Sequence, residues 1–168
     1  MHTQSNDRRI LRVVSISSVV VSAAAEDVLI TYSLGSCIGV TAWDARLRHG
    51  GLIHCLLPSA KQGHSGDAHS DAKYVDTGVA ALLQALADRG SALGDLQLRI
   101  AGGANPLKNA ADSMRIGERN VAMLRKLLWK NGLLIAAERI GGAEPRTLSL
   151  EIGSGRVFVR TNDNEEEI

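Results

Sequence analysis

The segment Thr31-Tyr32-Ser33-Leu34-Gly35-Ser36-Cys37 predicts more about this chain than any other, because it closes a β-rich run with a turn of small residues and a cysteine. An apolar run to Trp43, a polar turn around Asp44 to Arg48 and the segment Gly50 to His54 come next. Short apolar runs separated by polar or glycine-containing turns are typical of consecutive strands. We therefore interpret residues 31–54 as a three-strand meander.

Strand pairing predicts which side chains of this meander meet. A hairpin with a tight turn near Ala45-Arg46 would place Cys37 directly opposite His54, with their Cβ atoms about 5 Å apart. A turn through residues 33–35 would place Thr31 opposite Cys37 in the same way. A slip of one residue would send one side chain to the other face, and Ala45-Arg46 lacks the usual Asn or Gly of a two-residue turn.

A thiol beside an imidazole is the pattern of a cysteine nucleophile with its base. His54 would take the proton of Cys37 and lower its pKa from about 8.5 toward roughly 3.5 to 7.5, while Thr31 would fix the tautomer of the imidazole. The backbone N–H groups of Gly35 and Ser36 are candidates for an oxyanion hole.

The alternative interpretation is that Cys37 is a small core residue. Its position after Leu34-Gly35-Ser36 favours access, whereas Cys55 alternates to the face opposite His54 and is predicted to be core.

Composition excludes several classes of function. The 168 residues carry a net charge of +1 and only 3% aromatic residues, which does not favour a nucleic-acid partner. Two cysteines are too few for a disulfide scaffold and indicate a reducing, cytoplasmic location. The stretch Val13 to Val21 imitates an export signal, but interrupting serines lead us to interpret it as a buried strand. No run is long enough for membrane insertion.

The rest of the chain predicts one α+β domain over residues 10–160, with a flexible N-terminal tail at 1–9 and an acidic, frayed C-terminal tail at 161–168. Apolar periodicity predicts two helices, and alternation predicts three later strands, of which the last two are joined by a hairpin turn. The helices run from an N-cap at Ser70 to about Arg89 and from Gly117 to Lys130; the strands are Leu96 to Ile100, Leu148 to Ile152 and Arg156 to Arg160, with the turn at Gly153-Ser154-Gly155.

Two further groups of residues could be assigned to ligands. His64, Asp67, His69 and Asp71 lie in a loop rich in Gly and Ser, which we interpret as loop polarity rather than a metal site. The pairs Gly102-Gly103 and Gly141-Gly142 lack the spacing of a phosphate-binding loop. They are predicted to be turns or close backbone contacts, with a wall of the active site as the alternative.

Local motifs along nearly the whole chain resemble the CheD family of chemoreceptor glutamine deamidases. They are specific through their order and spacing rather than individually: Leu34-Gly35-Ser36-Cys37, Gly50-Gly51 leading to His54 and Leu57-Pro58, Lys73-Tyr74-Val75-Asp76-Thr77, Ile100-Ala101-Gly102-Gly103-Ala104, Ile116-Gly117-Glu118-Arg119-Asn120-Val121, and Gly141-Gly142 with Arg146. Two segments depart from the family pattern, the loop 59–71 and Asn105-Pro106.

The resemblance implies that Cys37, His54 and Thr31 are the catalytic residues and that no cofactor is needed. It also implies a layered β-sandwich flanked by helices, similar to the catalytic domains of deamidating toxins. The implied activity is conversion of glutamines to glutamates in the cytoplasmic helices of methyl-accepting chemotaxis receptors, and possible hydrolysis of glutamyl methyl esters. A CheC-type phosphatase is an implied partner. A non-catalytic adaptor and a related cysteine amidase with another substrate stay open as alternatives.

Overall fold

The computed structural model describes residues 8–60, 71–106 and 115–168. Within these residues the chain forms ten β-strands and two α-helices, with short 3₁₀ turns at Asp71–Lys73 and Leu93–Asp95. The strands are β1 (Ile10–Val13), β2 (Ser18–Ser22), β3 (Asp27–Leu34), β4 (Ile38–Asp44), β5 (His49–Cys55), β6 (Leu96–Gly102), β7 (Ile135–Ile140), β8 (Arg146–Glu151), β9 (Val157–Thr161) and β10 (Asn164–Glu167), and the helices are α1 (Val75–Ala87) and α2 (Ile116–Lys130).

The strands form two five-stranded sheets. Sheet A has the order β1-β3-β8-β9-β10, and sheet B has the order β2-β5-β4-β6-β7. Leu29 and Leu148 of sheet A share one buried cluster with Leu52 of sheet B, so the sheets pack face to face as a sandwich. The predicted α+β chain with two layered sheets and two helices is confirmed.

A second core lies between sheet B and the helices. Ile53 and Cys55 of β5 point to this side and pack with Leu82 of α1 and Leu124 of α2. Strand β5 is therefore buried on both faces, and all seven of its residues are buried, including His49 and His54. Cys55 is a fully buried core residue, as predicted.

The helices and the late hairpin agree with the sequence prediction except at the start of the first helix. Helix α2 starts one residue before the predicted Gly117, and α1 ends two residues before Arg89. Strands β8 and β9 pair antiparallel around the predicted glycine-containing turn. The predicted start of the first helix is wrong: Ser70 lies outside the described residues, a 3₁₀ turn occupies Asp71–Lys73, and α1 begins at Val75 with Tyr74 at its N-cap position. No helix in the described parts of the chain is long and apolar enough to cross a membrane.

The prediction of one buried strand over residues 13–21 is wrong. Strand β1 is exposed at all four positions and pairs parallel to β3 at the edge of sheet A, whereas β2 is an edge strand of sheet B beside β5. The chain crosses from one sheet to the other between them, with Val14 buried and Ser17 at a φ of 58°. An edge strand has a neighbouring strand along only one of its two edges, and its other edge stays open to water. The apolar composition of this segment therefore did not imply burial.

The acidic end is also not a frayed tail. Strand β10 pairs antiparallel to β9, and two arginine–glutamate pairs hold it: Arg139 with Glu166 at 2.7 Å and Arg156 with Glu167 at 2.8 Å. A short run of glutamates can form an edge strand when cations lie beside it, because ion pairs offset the repulsion between like charges.

The three-strand meander over residues 31–54 is wrong as well. Strand β3 belongs to sheet A, whereas β4 and β5 form a hairpin in sheet B. The Ser33–Cys37 segment, hereafter the Cys37 turn, thus carries the chain from one layer of the sandwich to the other. Thr31 does not lie opposite Cys37 on a neighbouring strand; it faces sheet B across the interior.

Candidate functional site

The two sheets bring Thr31 and His54 into contact. The Thr31 hydroxyl lies 2.7 Å from Nδ1 of His54 and donates a hydrogen bond of 2.7 Å to the backbone carbonyl of Val14. A hydroxyl has one proton to donate, so its contact with the imidazole is one in which Nδ1–H donates and the hydroxyl oxygen accepts. This arrangement fixes the neutral tautomer of His54, with its lone pair on Nε2.

The second ring nitrogen of His54 is buried and has no hydrogen-bond partner among the described residues. The side chain is fully buried, and this burial lowers its pKa from 6.5 to about 4. His54 is therefore a neutral imidazole at physiological pH, with an unused acceptor in the interior of the sandwich. A buried polar atom without a partner is costly, which makes Nε2 a candidate for contact with a reacting group.

The hairpin register differs from the predicted one by two residues. Asp44 pairs with His49, so four residues form the turn, and Gly39 rather than Cys37 lies opposite His54. The Asp44 carboxylate stabilises the longer turn by accepting hydrogen bonds from the backbone N–H groups of Arg46 and Leu47. Because side chains alternate with a period of two, this shift leaves Cys37 on the same side of sheet B as His54.

Cys37 is consequently a diagonal neighbour of His54, for which Cα–Cα distances of about 7 Å are usual. The prediction was a directly opposite pair with Cβ atoms about 5 Å apart. A Cβ on Gly39, opposite His54, would overlap the side chains of Leu34 and Leu148, so glycine allows sheet A to pack closely at this point. Cys37 is buried among apolar side chains of the inter-sheet core, including Leu34 and Leu148, so the access predicted from its position after the turn is wrong for this state of the protein.

Burial raises the pKa of the Cys37 thiol above its ordinary 9.0, against a smaller lowering by its own backbone N–H. The expected lowering of this pKa by His54 is wrong for the resting site, since an imidazole that is itself neutral supplies no positive charge. The structure thus holds a neutral thiol and a neutral imidazole.

Backbone hydrogen bonds hold the Cys37 turn. Gly35 accepts from the N–H of Ala104 at 2.8 Å, and Cys37 accepts from the N–H of Gly103 at 2.8 Å. Gly102 has a φ of 112°, and a Cβ on it would overlap the carbonyl oxygen of Cys37. The prediction that the first glycine pair makes close backbone contacts is therefore confirmed. The N–H of Gly35 donates to Ser33 at 2.9 Å and is already engaged.

Asn120 is a further residue of this region, to which the sequence reasoning assigned no role. It is fully buried, and its side-chain amide donates to the carbonyl of Ser36 at 2.9 Å and to that of Leu56 at 3.1 Å. It therefore links the Cys37 turn to the chain just after His54. The signal for it was present: an amide on the buried stripe of an amphipathic helix needs hydrogen-bond partners in the interior.

Among the described residues, no group of three or more His, Cys, Asp or Glu side chains is arranged to hold a metal ion. His64, Asp67 and His69 of the loop considered above lie outside the described residues.

Taken together, the layers and contacts define a class: a helix-flanked β-sandwich protein with a cysteine, a threonine-bound histidine and a glycine-supported turn gathered where the chain crosses between sheets. The sequence pattern described as CheD chemotactic sensory transduction matches residues 56–161. The chain belongs to this CheD family.

Individual relatives extend the match toward the N-terminus. A protein of Solibacter usitatus (strain Ellin6076) named probable chemoreceptor glutamine deamidase CheD is 38% identical over 156 residues, which is 93% of this chain and 92% of the relative. A protein of the same name from Pyrococcus abyssi (strain GE5 / Orsay) is 41% identical over 137 residues, or 80% of this chain and 82% of the relative. The first alignment is long enough to include Thr31, Cys37 and His54, which precede the family match.

Proposed function

We propose that this protein is a thiol-dependent deamidase that converts glutamine side chains of methyl-accepting chemotaxis receptors to glutamate. The names of its relatives, probable chemoreceptor glutamine deamidases, support this choice of substrate. The chemistry is supported by one observation above all. The Thr31–His54 hydrogen bond leaves Nε2 as a buried acceptor on the side of the sheet that also carries Cys37.

The first half of the reaction is acylation of Cys37. Its sulfur attacks the carbon of the glutamine carboxamide while the thiol proton passes to Nε2 of His54. The C–N bond then breaks, and the same proton goes to the departing nitrogen, which leaves as ammonia. A thioester joins Cys37 to the substrate, and the imidazole is neutral again.

The second half is hydrolysis of the thioester. His54 takes a proton from water as the oxygen attacks the acyl carbon, the C–S bond breaks, and the proton returns to the sulfur of Cys37. The product is glutamate. Thr31 is a positioning residue in both halves, because it accepts from Nδ1 and orients the ring. Of the two oxyanion-hole candidates, Ser36 is favoured, since the N–H of Gly35 is engaged by Ser33.

Four finer expectations belong to the same proposal. Hydrolysis of a glutamyl methyl ester would use identical steps, with methanol leaving instead of ammonia. Because the proposed substrate segments are cytoplasmic helices of the receptors, the enzyme is expected in the cytoplasm. A CheC-type phosphatase is the expected protein partner, and the sandwich is expected to resemble the catalytic domains of deamidating toxins.

The test is turnover on a purified cytoplasmic fragment of a methyl-accepting chemoreceptor. Ammonia release and the mass increase of glutamine-containing peptides are followed together for the wild type, Cys37→Ala and Cys55→Ala. We expect Cys37→Ala to be inactive and Cys55→Ala, the matched control in the helix-side core, to stay active. Full activity of Cys37→Ala would refute the thiol mechanism. Binding without turnover by the wild type would favour the adaptor, and turnover restricted to small amides would favour a different amidase.

A further inference from the structure

A polar cleft of about 460 Å³ opens at the end of sheet A beside the Cys37 turn. Ser33 lines it and lies four residues before Cys37. Two arginines line it as well: Arg146 at the start of β8 and Arg160 near the end of β9. Neither the chemistry proposed above nor the family match assigns this cleft, hereafter the arginine cleft, a role.

Hydrogen bonds connect the arginine cleft to the candidate nucleophile. Arg146 donates through Nη1 to the carbonyl of Gly141 at 2.8 Å, and the N–H of Gly141 donates to Gly102 at 3.0 Å. The next residue, Gly103, donates to the carbonyl of Cys37 at 2.8 Å. The guanidinium therefore lies at one end of a short hydrogen-bonded path whose other end is the backbone of Cys37.

The two arginines of the cleft are not neutralised by ion pairs with carboxylates of the described residues. In the described parts of the chain, neither Arg146 nor Arg160 forms an ion pair, whereas the nearby Arg139 is paired with Glu166. Burial lowers the pKa of Arg146 and the charge of Arg139 adds to this lowering, while the carboxylates of Glu144 and Glu166 oppose it without forming an ion pair with Arg146. A partly buried guanidinium without a carboxylate is stabilised when a ligand supplies one.

The net charge also indicates which anion fits. Asp163 lines the cleft together with the two arginines, so the lining itself carries one net positive charge, and Glu165 lies outside it, across from Arg160 on β10. One excess positive charge matches a single carboxylate better than a doubly charged phosphate group. The planar guanidinium of arginine suits a carboxylate through paired N–H···O bonds.

We propose that the arginine cleft binds an acidic side chain of the substrate segment, close to the glutamine that is deamidated, and that Arg146 and Arg160 are specificity-determining residues. This inference rests on the proposed function, because it concerns the substrate of the same site. It means that the protein selects glutamines with an acidic residue nearby and leaves other exposed glutamines unmodified.

The decisive measurement is binding, which does not require turnover. Affinity of the receptor cytoplasmic fragment is measured with Cys37→Ala as the background, alone and combined with Arg160→Gln or Arg146→Gln. We expect Kd to rise about threefold for exposed Arg160 and about tenfold for the more buried Arg146. Arg160→Gln is the cleaner change, since Arg146 also holds the Gly141 loop. Arg125→Gln, on α2 and paired with Glu138, is the matched control and should leave Kd unchanged.

A second receptor fragment makes the test specific. In it, the glutamates within one helical turn of each deamidated glutamine are replaced by alanine. The arginine substitutions should then have no further effect on Kd, as expected for two groups that interact directly. If both substitutions leave Kd for the acidic fragment unchanged, the arginine cleft has no such role, even with full deamidase activity in the wild type. If the wild type has no turnover but the arginine substitutions still raise Kd, the proposed deamidase function is refuted, whereas binding of an acidic side chain in the arginine cleft is supported.

Discussion

The ionisation of Cys37 provides the sharpest test of the proposed mechanism. The perturbation is pH, and the response is the rate at which the thiol reacts with iodoacetamide in the absence of substrate. Only a thiolate reacts at an appreciable rate, so the profile reports the pKa of Cys37 in the resting protein.

The structure sets the expected magnitude. With its pKa raised above 9.0, Cys37 is ionised in about 1% of molecules or fewer at pH 7. Transfer of its proton to His54, whose pKa is about 4, spans an interval that corresponds to about 7 kcal/mol or more. This cost, which the attraction between the two charges would offset only in part at an effective dielectric constant of about 20, favours a neutral thiol and a neutral imidazole in the resting protein. Deprotonation must accompany attack on the carboxamide.

The assay can follow the two cysteines separately. Trypsin cleaves after Arg12 and Arg46 to release a peptide with Cys37, and after Arg48 and Lys61 to release one with Cys55. We expect alkylation of Cys37 to accelerate about tenfold per pH unit up to about pH 9, without an earlier plateau. Cys55 should stay unmodified in the folded protein because it is fully buried.

A matched substitution separates the two mechanisms. In His54→Gln the alkylation profile of Cys37 should stay almost unchanged, whereas deamidation should be lost. An early plateau near neutral pH in the wild type, abolished by His54→Gln, would show that a resting ion pair exists and would refute the reasoning. The turnover profile provides a further check. Deamidation requires neutral His54, so kcat/KM should fall only as the pH drops through about 4, not through 6.5.

Three other outcomes are expected. Thr31→Val removes the acceptor for Nδ1–H of His54 and should lower kcat about 10- to 100-fold, whereas Thr31→Ser keeps the hydroxyl and should stay near wild type in the same steady-state assay. Gly102→Ala, with φ at 112° and a clash against the Cys37 turn, should lower the melting temperature more than Gly132→Ala, with φ at 66° and nothing within 4 Å. Because the pKa of His54 is lowered in the folded state, the unfolded chain binds more protons than the folded chain between pH 6.5 and about 4. Urea titrations should therefore show the free energy of unfolding decreasing by up to about 3 kcal/mol as the pH falls over that interval. His54→Gln should remove this part of the decrease.

The faces of the strands could be predicted from the sequence, but not the sheets to which they belong. Alternation placed Cys37 and His54 on one side of the hairpin and Cys55 on the other, and the observed two-residue register shift preserves both assignments. Nothing local indicates that β3 leaves this sheet. Ser33 adopts a φ of 58°, and the pairing of β3 with β8 shifts its register between Thr31 and Leu34; neither irregularity is indicated by the residue types. The strand pairing of residues more than 115 positions apart, such as Thr31 and Leu148, cannot be predicted from local sequence patterns.

The contact between Thr31 and His54 was predicted from a wrong geometry. Thr31 was expected to reach the imidazole along a neighbouring strand, and it does so from the opposite layer. Because the hydroxyl also donates to Val14 at the crossing between β1 and β2, both sheets must be assembled before the tautomer of His54 is fixed. The site is therefore a product of sandwich closure. A substitution that loosens the packing between the sheets should reduce turnover before it unfolds the chain.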